Sequence, residues 1–385
     1  MGKARTVDRT FKITYKEDSM IRLITRTHAL GVLAAGVVAC CAVLAQTQKK
    51  DQKLDPAVLS DAPNVPQMVV DSDGTLHFGP RTVPLPALAS PEARRAYTRQ
   101  MLQRGQSSAA RGGLASVRIT ETNAAMPVPE GGSKEAALKI YPVVEESQKI
   151  GGVGVTIYSP KTIPSQNRNK VAMEFEMDAE AIAVASLGQL KVIKVNYRGG
   201  GPSIPGNEDI VAVYRELLKI YKPKNIGMFG ASGGCTLAQT TILWIPQQKL
   251  PLPGAVGLGT CSGGSNPGDA RYTLNGLDAG LSTAFSGRPP FGGRETAARK
   301  PGEPPATALD GDIPKGYPPA FLLSGTRDMC LSQTVLLHRK LRNAGIEADL
   351  NVFEGMWHFF WENPDLPESR EAMTALARFL SSHLE

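Results

Sequence analysis

The stretch Ile226-Gly227-Met228-Phe229-Gly230-Ala231-Ser232-Gly233-Gly234, continued by a run to Trp244, decides how this sequence is read. Ile226–Phe229 has the short apolar pattern of a strand, and Gly234–Trp244 has helical composition. Between them stands Gly-x-Ser-x-Gly at 230–234. Small residues around the serine let the chain turn sharply from strand to helix and lift a strained Ser232 hydroxyl above the sheet. The helix beginning there points N–H groups at any developing oxyanion. Gly-x-Ser-x-Gly alone is a weak signal, because glycine and serine are common. The strand before it and the helix after it give it weight, making Ser232 a candidate nucleophile and the Gly233 N–H a candidate oxyanion donor.

Working outward, Val153–Tyr158, Val171–Phe175 and Val192–Tyr197 read as strands. Ile210, Val213, Tyr214, Leu217, Leu218 and Tyr221 form one helical stripe closed by Pro223. Ala255–Gly259 and Ala320–Ser324 are strands separated by a long Gly/Pro-rich insertion. Helix Ser332–Ala344, strand Ala348–Phe353 and helix Glu368–Leu384 complete the chain. Strands alternating with helices imply an α/β fold: a mainly parallel central sheet with helices on both faces. Residues 46–135 are rich in Pro, Ser, Gly and charge, with one clear helix. Ser90 caps it, Pro91 suits its first position, Glu92 favours its positive end and Gly105 can stop it.

A serine hydroxyl needs a base, and the chain has five histidines. His28 lies near the N-terminus, His77 in the N-terminal extension, and His338 and His383 inside helices. His358 alone follows a late strand, in Glu354-Gly355-Met356-Trp357-His358-Phe359-Phe360, where a loop delivers its imidazole to the strand ends that carry Ser232. Asp328 follows strand Ala320–Ser324 in Ser324-Gly325-Thr326-Arg327-Asp328 and is the candidate acid that orients the imidazole. In isolation that aspartate would be read as the cap of the next helix. The chain order Ser232, Asp328, His358 is the order expected of an α/β-hydrolase triad.

From about Lys149 to the C-terminus the chain resembles the hormone-sensitive-lipase-like branch of the α/β-hydrolases, the α/β-hydrolase fold-3 esterases. The triad is joined in this by Asn196-Tyr197-Arg198, Pro205, Glu208-Asp209, Gly325-Thr326-Arg327-Asp328 and Gly355-Met356-Trp357-His358. The resemblance implies a serine esterase on short or medium acyl esters, with no metal or organic cofactor, and an N-terminal helical cap over the acyl pocket. Charge, apolar patterning and composition divide the chain into a targeting segment at 1–45, an extension and cap at 46–135, and a hydrolase domain at 136–385. One departure stands out. The family places a His-Gly-Gly-Gly loop after its third strand, supplying part of the oxyanion hole. Here the corresponding stretch is Met173-Glu174-Phe175-Glu176-Met177-Asp178, whose acids would oppose an oxyanion. Gly199-Gly200-Gly201 follows the next strand and reads as a connecting loop.

Net charge is +7 over 385 residues, but residues 1–26 hold seven Lys/Arg against three Asp/Glu and so carry more than half of it. No dense basic stripe follows, so nucleic acid is not an expected partner. Apolar residues from Ala29 to Ala45, ending Val43-Leu44-Ala45, have the form of an export signal too short to span a bilayer. If its basic region begins at Met20, residues 1–19 are an upstream extension. Two other outcomes stay open: lipidation at Cys40 in Val37-Val38-Ala39-Cys40, or an uncleaved anchor. Either would be the route to a membrane. No His-Glu-x-x-His or Cys-x-x-Cys occurs, so no zinc is expected. Gly151-Gly152-Val153-Gly154 precedes a strand, which suits a turn and not a dinucleotide loop. Cys235, Cys261 and Cys330 could hold one disulfide and a spare thiol, or Cys235 could simply pack a helix.

Two functions follow. One is an exported serine esterase acting on a small-molecule ester, with activity weakened at the oxyanion. The other is a binding or scaffold protein on a catalytically impaired hydrolase fold.

Overall fold

The computed structural model describes residues 68–70, 72, 76–78, 82–110, 133–199, 203–261, 268–281, 300–305, 309 and 311–385. The targeting segment expected at 1–45 lies outside them. The chain divides into two units, Met1–Thr82 and Val83–Glu385. In the first, β1 (Met68–Val70) and β2 (Leu76–Phe78) form an antiparallel ribbon in which Val69 faces His77.

The second unit begins with α1 (Pro91–Ala110) and α2 (Ser133–Ile140), followed by β3 (Val144–Ile150), β4 (Val153–Ser159), β5 (Val171–Glu174) and α3 (Asp178–Gly188). Next come β6 (Lys191–Val195), α4 (Ile204–Leu217), β7 (Ile226–Ala231), α5 (Gly233–Trp244), β8 (Ala255–Gly259) and α6 (Ala270–Thr273). The last elements are β9 (Ala320–Gly325), α7 (Leu331–Asn343), β10 (Ala348–Phe353) and α8 (Pro367–His383). Eight strands make one sheet in the order β10-β9-β8-β7-β5-β6-β4-β3. Only β4 against β3 and β6 is antiparallel; the rest pair in parallel.

Strand alternation builds a core on each face of this sheet. Val171 and Met173 enter one core and Ala172 the other; Ala320 and Leu322 likewise separate from Phe321 and Leu323. Helices α3 and α8 cover the first face through Ile182, Met373 and Leu376, while α4, α5 and α7 cover the second through Ile210, Leu237 and Leu337. Burial on both faces is why these strands read as continuous apolar runs. The turn expected at Gly151-Gly152 joins β3 to β4.

One local expectation changes, and one strand is new. Gly105 does not stop α1, which runs to Ala110. One glycine costs a helix only about 1 kcal/mol relative to alanine, and the residues after it tolerate helix. Strand β3 carries no apolar alternation (Val-Glu-Glu-Ser-Gln-Lys-Ile) because it is the exposed edge of the sheet, where charge discourages pairing with another chain.

Helix α1 is fixed to the domain by side chains at its start. Ser90 Oγ accepts from Ala93 N at 3.0 Å, and Glu368 on α8 accepts from both Ser90 N and Ser90 Oγ at 2.7 and 2.9 Å. Further along, Tyr97 donates to Leu277 O at 2.8 Å and stacks obliquely on Trp357, beside the His358 loop.

Candidate active site

Strand order puts the site where the chemistry needs it. β5 and β7 are neighbours, yet β6 lies on the far side of β5, so connections leave their C-terminal ends in opposite directions and open a crevice there. The Ser232 turn leaves β7, the Phe175–Met177 loop leaves β5, Asp328 follows β9 and His358 follows β10.

Ser232 has φ 50° and ψ −108°, a conformation that costs a non-glycine residue about 1–3 kcal/mol. The surrounding ladder holds it: Ser232 N donates to Gly259 O at 3.0 Å, and Thr236 N returns to Ser232 O at 3.1 Å. A side chain at Gly230 would meet the Gly234 backbone at 2.9 Å, and one at Gly234 would meet Phe175 O at 2.6 Å. The two glycines are therefore required by close backbone approach, and the β5 loop rests directly on the start of α5.

Asp328 and His358 meet in the interior, with His358 Nδ1 2.9 Å from Asp328 Oδ1 and both side chains fully buried. Asp328 also accepts from Ser324 Oγ at 2.7 Å and Cys330 N at 2.8 Å. An ionised Asp328 keeps the proton on Nδ1 and leaves Nε2 for exchange. Nε2 is buried with no hydrogen-bond partner, and no hydrogen bond joins it to Ser232. Burial alone would push His358 down, but the neighbouring Cys330 sulfur and the Asp328 carboxylate override it, so the imidazole holds its proton well above the ordinary value of 6.5. Cys330 itself is pushed up by burial, which leaves Asp328 as the charge that favours imidazolium.

Asp278, inside the Gly/Pro-rich insertion, was not singled out by the sequence. It is fully buried and accepts from Met329 N at 2.9 Å, His358 N at 3.1 Å and Gly280 N at 2.8 Å. One carboxylate thus ties the Asp328 loop to the His358 loop.

The β5 loop differs from an oxyanion loop in a specific way. Glu174 Oε1 accepts from Glu176 N and Met177 N, both at 2.6 Å, so the loop's own N–H groups are used internally. Glu176 accepts from the Tyr197 hydroxyl at 2.9 Å. Burial pushes the Glu176 carboxyl up, while the Tyr197 hydroxyl and the Gly234 N–H hold it back. Its carboxylate therefore faces the N-terminus of α5. Tyr197 and Arg198 follow β6; Arg198 is paired with Asp209 at 2.8 Å, joining the segments Asn196-Tyr197-Arg198 and Glu208-Asp209.

Further acids lie close by. Glu180 is pushed up to about 8 by burial, then by Glu176 and Glu362, and Glu362 to about 7 by burial, with Glu176 adding to it and His358 opposing. A carboxyl whose folded pKa exceeds its unfolded value stabilises the fold at low pH, and that contribution is lost as pH rises from about 4.5 to about 8. Glu180→Gln should accordingly gain up to roughly 2–4 kcal/mol of stability over the parent at pH 9 and much less at pH 4. Urea unfolding at the two pH values checks this.

A cavity of about 260 Å³ adjoins the His358 loop, lined by Arg99 and Gln103 of α1 and by Trp357, Phe359, Glu362 and Asn363. Phe359 has φ 61°, a left-handed conformation that turns the chain immediately after His358. Asp328, Cys330 and His358 each bring one ligating atom within 4.8 Å of the others, so this is where a soft metal ion would find donors. The direct Asp328–His358 hydrogen bond already engages two of the three. No helix among the described residues is long and apolar enough to cross a membrane.

This sheet, with a strained serine at a strand-to-helix turn and a buried His–Asp pair at two later strand ends, defines an α/β-hydrolase. Residues 171–362 match a family described as alpha/beta hydrolase fold. Among solved structures the chain is similar to an esterase E25, at 29% identity and TM-score 0.62 over 80% of this chain and 99% of that one. An esterase of the bacterial hormone-sensitive lipase family aligns at 21% identity and TM-score 0.58, over 77% and 99% of the two chains. The EstE7 homologue of hormone-sensitive lipase, from a metagenome library, shares the fold at 15% identity and TM-score 0.58, over 76% and 99%. No curated protein sequence matches the chain. The chain thus has the α/β-hydrolase fold and is similar over most of its length to solved esterases, some of them of the bacterial hormone-sensitive lipase family.

Proposed function

We propose that this protein is a serine esterase acting on small, uncharged carboxylic esters. Ser232 Oγ attacks the ester carbonyl while His358 Nε2 takes its proton, forming a tetrahedral intermediate. That intermediate collapses to an acyl-Ser232 ester, and His358 returns the proton to the departing alcohol. Water then repeats the sequence: His358 takes its proton, the acyl–Ser232 bond breaks and the acid leaves. Asp328 holds the imidazole in the required tautomer, and the Gly233 N–H donates to the oxyanion.

The observation that carries this reading is the buried 2.9 Å Asp328–His358 pair, set at strand ends on the same edge of the sheet as the strained Ser232 turn. Hydrolysis of p-nitrophenyl acetate by the full chain and by Ser232→Ala is its test. Turnover by the parent and none above background by the variant is expected; equal rates would overturn it.

A second reading has its own support. Glu174 consumes the N–H groups of the β5 loop, and Glu176 sets a carboxylate against the start of α5. A hydrolase fold so arranged would bind esters or acids of similar shape without turning them over, and parent chain inactive toward esters would select it. The apolar run before Ala45 also belongs to the proposal: it directs export, leaving the esterase outside the cytoplasm or tethered by its leader.

The pH profile follows from His358. A general base works deprotonated, and this imidazole keeps its proton well above 6.5, so kcat/KM for a neutral ester should rise with pH through a midpoint above that value. Initial rates between pH 5 and 10 give the midpoint. A rate that falls across this range would assign the base elsewhere.

A further inference from the structure

We infer that Cys235 and Cys261 are joined by a disulfide that staples the first turn of α5 to the end of β8, directly behind the nucleophile turn. Their Sγ atoms lie 2.6 Å apart and both residues are buried. That is closer than unbonded sulfurs pack, and within about half an ångström of the S–S bond length of about 2.05 Å.

The fold brings them together by fixed backbone geometry. β7 and β8 pair in parallel with Ala231 beside Gly259, and Ser232 N donates to Gly259 O at 3.0 Å. One segment continues into the first turn of α5 and the other to Cys261, whose N–H is held by Thr334 Oγ1 at 3.0 Å. Gln239 Nε2 donates to Cys235 Sγ at 2.8 Å from one turn further along the helix. Cys330 is the remaining thiol of the domain, and its place beside Asp328 and His358 sets it apart from this pair.

Closing the bond removes two electrons and two protons, so it needs an oxidant, here a small-molecule disulfide such as oxidised glutathione. One cysteine thiolate attacks a glutathione sulfur and releases one glutathione thiol, leaving a mixed disulfide. The second cysteine thiolate then attacks the protein sulfur of that mixed disulfide, and the second glutathione thiol leaves. Burial, and the neighbouring Cys235, push the Cys261 thiol well up, so thiolate is scarce once the domain is closed. Exchange therefore belongs to the folding chain, and the finished bond is shielded from reductants until the protein unfolds. The staple stands whether or not Ser232 is a nucleophile.

The test refolds the full chain with oxidised glutathione, alkylates it in denaturant without reductant and maps its peptides. A Cys235–Cys261 linked peptide with Cys330 alkylated is expected; after prior reduction, all three should carry the label. Cys235 and Cys261 both alkylated in the unreduced chain, or either one linked to Cys330, would overturn the inference. As a second readout, Cys235→Ser/Cys261→Ser should melt roughly 5–10 °C below the oxidised parent and be indifferent to reductant. A double variant melting with the oxidised parent would likewise count against a staple.

Discussion

Replacing His358 by alanine should lower p-nitrophenyl acetate turnover about 10²–10⁴-fold, the usual contribution of a positioned general base. The loss should appear in kcat more than in KM, because the imidazole moves a proton during bond making and does not hold the ester. Residues that act as a unit are strongly non-additive, so Ser232→Ala/His358→Ala should be no slower than the worse single variant. The substitution also removes a fully buried partner of Asp328. That carboxylate keeps the Ser324 hydroxyl and the Cys330 N–H as donors, so the fold is expected to survive with reduced stability. A melting curve beside the kinetics separates lost chemistry from lost fold. Undiminished turnover by folded His358→Ala would remove the imidazole from the mechanism.

Glu176→Gln is expected to act in the opposite direction and raise ester turnover about 10- to 100-fold. A tetrahedral intermediate puts negative charge near the start of α5, and Glu176 holds a carboxylate against that helix end. Two like charges about 4 Å apart repel by about 4 kcal/mol at an effective dielectric of 20, ample to cover such a gain. Glutamine keeps the shape, removes the charge and can still accept from the Tyr197 hydroxyl. The gain should be largest at high pH, where the parent's Glu176 is ionised, and should shrink as acid neutralises it. Steady-state kinetics of the two proteins at pH 6 and pH 9 measure this. Unchanged or slower turnover at both would show that Glu176 does not face the developing charge.

Much of this arrangement could be read from sequence because the candidate residues sit at strand ends. Ser232, Asp328 and His358 each follow a strand legible in the sequence, and its place just after a late strand set His358 apart from four other histidines. The parallel core strands were equally legible, being buried on both faces. Asp278 was not. It lies in a Gly/Pro-rich insertion without periodicity, and its role depends on two backbone N–H groups, of Met329 and His358, brought to it from distant loops. Glu174 and Glu176 were visible as acids in the wrong place, yet not what they do. That Glu174 closes the loop's own N–H groups is a matter of side-chain direction, which sequence spacing does not encode. Strand β3 escaped because a charged edge strand has no apolar face to announce it. Cys235 and Cys261 were recognisable only as two of three candidates for pairing, since the parallel register that brings them together is a tertiary fact.

Ser232 as the nucleophile is the central claim, and a fluorophosphonate probe tests it most directly. Such probes phosphonylate a serine only when its hydroxyl is activated, so labelling needs no knowledge of the natural ester. The folded full chain should be labelled at Ser232 alone, with labelling abolished in Ser232→Ala and strongly slowed in His358→Ala. No labelling of the folded parent, or equal labelling of Ser232→Ala, would contradict the account and leave a hydrolase fold that binds without catalysis.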